Sequence, residues 1–381
     1  MTRRAAVVDI GSGSTTLAVF EAGNGGFLDR IHQEGASLRL IEKLDARGRL
    51  PAAASRELLT TVDGFLDRAH AEGAAQVEIV ATSAMRDAGN GEALVAKLGA
   101  RPNVRARLVT GEEEGRLAAH TAMCTLPFRS GVVLDLGGGS LQLVLVRARK
   151  VISSVSLPLG ALRLYDQFLF RQEVPSADAL CALRHHVLEQ LRTIPWLRSC
   201  GESLVAVGGS VRTLAKIERK RQGWPVGHGH GYRLDGEALL DAYERLSRAS
   251  PRERTETPGL PAHRVDTIVT AALTLSTVLR FGGFGAVHLS TYGIREGVAF
   301  RALFGEAPIS DPGGAGLRGR LRVVPLDRPP AAPGLTLRER RLYAAAMDRP
   351  IAWLLDKPIQ GFWQEEVLRV ARVLEAERSL R

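Results

Sequence analysis

Gly131-Val132-Val133-Leu134-Asp135-Leu136-Gly137-Gly138-Gly139-Ser140-Leu141-Gln142-Leu143-Val144-Leu145-Val146 is the stretch whose reading decides the fold. An apolar run ends on the carboxylate of Asp135, turns through three glycines and resumes as an alternating apolar segment. That is the pattern of two strands joined by a tight turn. Glycine has no Cβ, so the backbone amides of Gly137, Gly138 and Gly139 can approach an anion closely, with Ser140 beside them. Asp135 stands where a metal-bound phosphate needs a carboxylate. The same order recurs near the N-terminus, where Val7-Val8-Asp9-Ile10 passes through Gly11-Ser12-Gly13-Ser14 into Thr15-Thr16-Leu17-Ala18-Val19-Phe20. Two strand–Asp–glycine-turn–strand units predict two related α/β lobes facing one phosphate chain.

The bulk composition fits this reading. A chain of 381 residues, 45% of them hydrophobic, is long enough for two domains and a remainder, with true cores. No run of about 18 apolar residues occurs, so no membrane span is expected. Met1-Thr2-Arg3-Arg4 runs straight into the first strand with no room for a signal peptide, which makes the cytoplasm the expected compartment. Cys124, Cys181 and Cys200 are odd in number and widely spaced, which matches neither a zinc site nor a disulfide framework. Lys plus Arg is 51 against 41 Asp plus Glu, and the resulting +10 favours polyanionic partners. Basic runs interleaved with aromatics are absent, so nucleic acid is not the expected partner.

Between the two hairpins, Leu58, Leu59, Val62, Phe65, Leu66 and Ala69 fall at helical spacing over residues 53–72. A strand at 77–81 then delivers Thr82, Ser83 and Arg86. The donor fork of Arg86 suits an anionic substrate, or else pairs with a neighbour such as Asp87. A strand at 104–109 opens through Thr110-Gly111-Glu112-Glu113-Glu114-Gly115-Arg116 into a helix reaching Met123. Carboxylates in a first helical turn suit the helix dipole. Three are more than capping needs, and this position after a strand is where a hydrolase places the carboxylate that orients water.

Residues 176–197 read as one long helix. A strand at 204–207 ends at Gly208-Gly209-Ser210, and the following helix carries Arg212, Lys216, Arg219 and Lys220 on one face. That stripe is either a track for phosphates or a solvated surface. Gly227-His228-Gly229-His230 has too few ligands for a metal and reads as a loop. A buried helix is expected over 264–279. A strand at 287–290 leads into Thr291-Tyr292-Gly293-Ile294-Arg295-Glu296-Gly297. Residues 308–334, rich in Gly, Pro and Arg, read as a linker, followed by helical stretches at 336–347 and 364–380.

Six of these pieces, in this order, resemble the exopolyphosphatase/guanosine pentaphosphate phosphatase (Ppx/GppA) family. They are Asp9–Ser14, Ala81–Asn90, Thr110–Arg116, Asp135–Ser140, Val207–Ser210 and Gly293–Gly297, and the likeness runs from Ala5 to about Phe304. The resemblance implies the two-lobed actin-like ATPase fold of acetate and sugar kinases, Hsc70 and actin. Its lobes would be residues 1–126 and 127–307, with a linker and small C-terminal helical extension at 308–381. It also implies Mg²⁺- or Mn²⁺-dependent removal of a terminal phosphate from inorganic polyphosphate or guanosine pentaphosphate (pppGpp), a stringent-response nucleotide. By the same resemblance Glu114 is the catalytic carboxylate, with Glu113 beside it, and Asp9 and Asp135 hold the metal. Phosphate oxygens would be bound by Gly11, Ser12, Gly13, Ser14, Gly137, Gly138, Gly139, Ser140, Gly208, Gly209 and Ser210. Arg86, Arg212 and Lys216 would add positive charge, in a monomer or a homodimer.

Three departures stand out. Gly13 replaces the family's Asn, the family's Pro is missing from residues 266–270, and Gln142 replaces a Glu. An amide keeps the size of a carboxylate but coordinates metal weakly and cannot act as a base. Two functions are therefore expected: a phosphohydrolase, or a catalytically weak module that senses polyphosphate or alarmone nucleotides. A sugar or acetate kinase on the same fold ranks third.

Overall fold

The computed structural model describes residues 3–23, 27–126, 128–199, 203–222 and 229–305. The linker and helices expected beyond residue 307, Cys200, and His228 lie outside these residues. The first sheet starts as an antiparallel meander of β1 (Arg4–Ile10), β2 (Thr15–Gly23) and β3 (Phe27–Ala36). α1 (Ala52–Ala71) crosses to β4 (Gln76–Ala81), which pairs in parallel with β1. α2 (Ser83–Asp87) and α3 (Gly91–Gly99) lead to β5 (Val104–Leu108), parallel to β4. The spatial order is β3-β2-β1-β4-β5.

After α4 (Gly111–Thr125) the design repeats. β6 (Gly131–Leu136), β7 (Leu141–Arg147) and β8 (Lys150–Leu157) form a second meander. α5 (Ala161–Leu164) and α6 (Ala177–Arg192) lead to β9 (Leu204–Val207), which lies parallel to β6. α7 (Gly209–Arg221), β10 (Arg233–Asp235), α8 (Gly236–Arg248), α9 (Pro251–Thr255) and α10 (Ile268–Gly282) precede β11 (Ala286–Leu289) and α11 (Ile294–Phe304). The second sheet runs β10-β11-β9-β6-β7-β8. Counted from its meander, β8-β7-β6-β9-β11 repeats the first sheet, and β10 adds one antiparallel edge. The repeated motif seen in sequence is thus a repeated topology, and the fold is the two-lobed actin-like α/β architecture.

Each sheet is covered on both faces, so its central strands are apolar on both sides. α1 lays Leu58, Val62, Phe65 and Leu66 against Val8, Ile10 and Ile79, each such side chain contributing about 1.5–3 kcal/mol on burial. Two helices then cross over. α4 follows β5 of the first sheet, yet Ala118, Ala119, Ala122 and Met123 pack on Val133, Val144 and Val205 of the second. α11 follows the last strand of the second sheet, yet Val298, Phe300 and Leu303 pack on Ala5, Val7 and Phe20 of the first. The two helices also touch each other, and only glycine fits at 297, where a Cβ would lie 2.9 Å from Thr121 Oγ1.

Two helices differ from expectation. The one expected over 176–197 stops at Arg192, because Pro195 constrains the residue before it, and residues Pro195–Ser199 form a separate 3₁₀ turn. The one expected from 264 starts at Ile268, preceded by a 3₁₀ turn at Ala262–Arg264. Among the described residues, no helix is long and apolar enough to cross a membrane, and Cys124 and Cys181 are both free thiols.

Candidate active site

β1 and β6 end on the same cleft, which has a volume of about 190 Å³. The structure brings together there Asp9, Gly11, Ser12, Gly13, Ser14, Glu114, Asp135, Gly137, Gly138, Gly139, Ser140, Gly208, Gly209, Ser210 and Arg212. The two turns are built alike: the Gly11 amide donates to Ser14 O and the Gly137 amide to Ser140 O, both at 3.0 Å. The carbonyls of Ser12, Gly13, Gly137 and Gly138 accept backbone N–H groups of residues 41, 39, 161 and 162, which ties both turns to the segments behind them. The turns approach so closely that a Cβ on Gly138 would lie 3.1 Å from Gly13 N. One on Gly139 would lie 2.3 Å from Ser12 Oγ and 2.5 Å from Ser83 Oγ. A third turn, at Gly208, has a φ of +106°, and a Cβ there would lie 2.5 Å from Leu136 O.

Glu114 projects from the first turn of α4, whose cap is Thr110 Oγ1 accepting the Glu113 amide at 3.2 Å. Arg86 Nη1 donates to Glu114 Oε2 at 3.0 Å and to Val109 O at 2.7 Å, while Nη2 donates to Ser140 Oγ at 3.4 Å. Arg86 therefore reaches the cleft through Glu114 and Ser140, and its expected alternative partner Asp87 pairs with Arg163 instead. Burial pushes the Glu114 carboxyl up to about 8, with Arg86 pulling it down and Asp135 and Asp9 pushing it further up. Burial likewise lifts Asp135 to about 6 against Arg212, and raises Asp9 against the opposing charges of Arg295 and Arg212.

Gln142 lies opposite Asp135 in the β6–β7 register. Its Nε2 donates to Ser140 Oγ at 2.8 Å and Ser156 Oγ at 3.0 Å and lies 3.4 Å from Glu114 Oε2. Its Oε1 is buried without a hydrogen-bond partner. Asp9 and Asp135 are the carboxylates that could hold a metal. No cluster of three or more potential His, Cys, Asp or Glu ligands exists among the described residues. A pair of half-buried carboxylates beside two anion-cradling turns fits Mg²⁺, which keeps several waters and shares oxygens with phosphate substrates.

Other expected residues lie elsewhere. Glu113 faces away and pairs with Arg107 on β5. Of the α7 stripe only Arg212 lines the cleft; Lys216 and Lys220 are exposed, and Arg219 sits 6.0 Å over the Tyr232 ring. His230 ties loops together, its Nε2 donating to Thr125 O at 3.0 Å and its Nδ1 accepting the Thr291 amide at 3.3 Å. Sequence reasoning gave no role to Arg39, His263, Arg264 or Arg295, all of which line the cleft. Arg39 adopts a left-handed conformation (φ +46°) and spans to Asp266 at 2.7 Å. Arg264 Nη1 donates to Ser210 Oγ at 3.2 Å. Arg39 lies in an irregular segment and Arg264 ends the 3₁₀ turn at Ala262–Arg264, where no periodicity marks them.

A two-lobed actin-like protein with a half-buried carboxylate between two Asp–glycine turns is a phosphate-handling architecture. The chain matches the model of the Ppx/GppA phosphatase family over residues 18–305 and belongs to that family. It is 30% identical over 318 residues to exopolyphosphatase 2 of Mycobacterium tuberculosis, covering 78% of this chain and 97% of that protein. It is 29% identical over 309 residues to exopolyphosphatase 1 of the same organism, covering 80% and 89%. The solved structure of an exopolyphosphatase from Cytophaga hutchinsonii superimposes with a TM-score of 0.73 at 21% identity, over 80% of this chain and 99% of that one, a likeness of fold.

Proposed function

We propose that this chain is a phosphohydrolase that removes the terminal phosphate of inorganic polyphosphate or of pppGpp. The observation that carries the reading is Glu114, half-buried between the Asp9 and Asp135 turns and held by Arg86. In the reaction Glu114 takes a proton from water, the water oxygen bonds to the terminal phosphorus, and the bridging P–O bond breaks. The shortened chain leaves with the bridging oxygen. A carboxyl lifted to about 8 has a basicity suited to that proton transfer near neutral pH. The amides of both turns and Arg212 hold phosphate oxygens, and Arg86 fixes the carboxylate's aim. Mg²⁺ or Mn²⁺ held by Asp9 and Asp135 would supply charge neutralisation at the phosphates.

The test is phosphate release by the purified chain from long polyphosphate and from pppGpp, with Mg²⁺ or Mn²⁺. Release from either substrate supports the reading. Gln142 favours a second reading, a sensor of the same ligands, because it places an amide where the family has a carboxylate. Tight binding of both ligands without any release would decide for the sensor.

A further inference from the structure

We propose that Arg295 is a substrate-contacting residue whose guanidinium binds a non-bridging oxygen of a phosphate seated in the cleft. The inference rests on the phosphohydrolase reading and adds a contact to it. Arg295 is the second residue of α11, only 9% exposed, and lines the cleft. Its Nη1 is buried and has no hydrogen-bond partner. Of the carboxylate next to it in sequence, Glu296 Oε2 accepts the Gly293 amide at 2.8 Å, while Oε1 lies 3.5 Å from Arg30 and has no hydrogen-bond partner of its own. Arg295 and Asp9 line the same cleft, so its positive charge bears on the cleft floor.

A guanidinium has five N–H donors and no acceptor, and cannot shed its charge. Burying one with an unmet donor is costly, so the arrangement makes sense where an incoming anion supplies the missing acceptor. An arginine serving only to neutralise Asp9 would be expected to hydrogen-bond to it, which leaves the bare Nη1 unexplained. A phosphate oxygen fits on three counts. The planar fork matches it geometrically. The first turn of an 11-residue helix adds a positive dipole end. The glycine turns place phosphate oxygens in the same cleft.

The experiment uses the full chain, with inorganic tripolyphosphate as the probe in divalent-free buffer, comparing wild type with Arg295→Met and Arg295→Lys. Calorimetry reads affinity at two salt concentrations, and urea unfolding reads stability. Arg295→Met is expected to weaken tripolyphosphate binding about 10- to 100-fold and to flatten its salt dependence, with stability unchanged or raised because an unpaired buried charge is gone. Arg295→Lys, which keeps the charge but loses the fork, should fall in between, and decides the matter should the Met variant not fold. Wild-type affinity in the Lys and Met variants, together with lower stability, would assign Arg295 to a structural role and overturn the proposal. A wild type that neither binds tripolyphosphate nor releases phosphate overturns the phosphohydrolase reading itself, an outcome distinct from unaltered variants.

Discussion

Replacing Glu114 by Gln removes one charge and almost no volume, and the consequence depends on pH. Burial lifts the Glu114 carboxyl from 4.5 to about 8, so the folded protein holds this proton more tightly than the unfolded chain does. A carboxyl raised in this sense contributes stability that is fully present below about pH 4.5 and is lost as pH climbs through about 8. At about 1.4 kcal/mol per tenfold, the interval from 4.5 to about 8 sets a ceiling of about 5 kcal/mol on the cost of ionised Glu114 at pH 9. The attraction of Arg86 is already contained in that value. Gln mimics the protonated acid, so metal-free E114Q is expected to match wild type near pH 4.5 and to exceed it by several kcal/mol at pH 9. Turnover should fall by about 10²–10⁴, because an amide cannot take the proton. The assay is urea unfolding of both metal-free proteins from pH 4.5 to 9, with phosphate release measured on the same preparations. A stability difference that does not vary with pH, or turnover that survives the substitution, refutes the assignment of Glu114 as a buried base.

Further outcomes follow from the same geometry. Gly208→Ala forces a Cβ to within 2.5 Å of a backbone carbonyl at φ +106°, so it should cost more than about 1–3 kcal/mol and abolish phosphate release; a soluble, active variant with an unshifted urea midpoint would contradict this. Gln142→Glu places a second carboxylate against Glu114. It should destabilise the metal-free protein above neutral pH, where like charges meet, while lowering the Mg²⁺ concentration needed for half-maximal release. Asp135→Asn should raise that concentration at least about tenfold, since Mg²⁺ depends on few protein carboxylates; an unchanged Mg²⁺ titration would remove Asp135 from the metal site.

The features legible in sequence were those with local causes. Two strands, a glycine turn and an Asp at a strand end are encoded within about a dozen residues each, and both units fold as read, onto one cleft. The run Glu112–Glu114 stood out because three carboxylates exceed what a helix N-terminus requires, but only the family resemblance singled out Glu114, which lines the cleft while Glu113 pairs with Arg107. The α7 stripe was only half informative, because helical spacing shows that Arg212 and Lys216 share a face but not where the helix leaves the cleft. Arg39 and Arg264 were invisible because their positions depend on a loop and a 3₁₀ turn folding back from distant parts of the chain. Nor does any local pattern state that α4 and α11 pack on the sheet they did not come from; that depends on which apolar faces are still bare when both sheets exist.

This crossing has a consequence for biosynthesis. The inner face of β1, with Ala5 and Val7, is covered by Val298 and Phe300 of α11, so the first described strand waits for the last described helix. Until then the nascent chain carries a bare apolar surface, the kind that holding chaperones bind. For the same reason the protein should resist dissection. A cut near Ser130 yields one fragment ending in a helix whose seat is on the other fragment, and a second fragment whose last helix belongs on the first. The two pieces should be poorly folded alone and should recover a native-like complex when mixed.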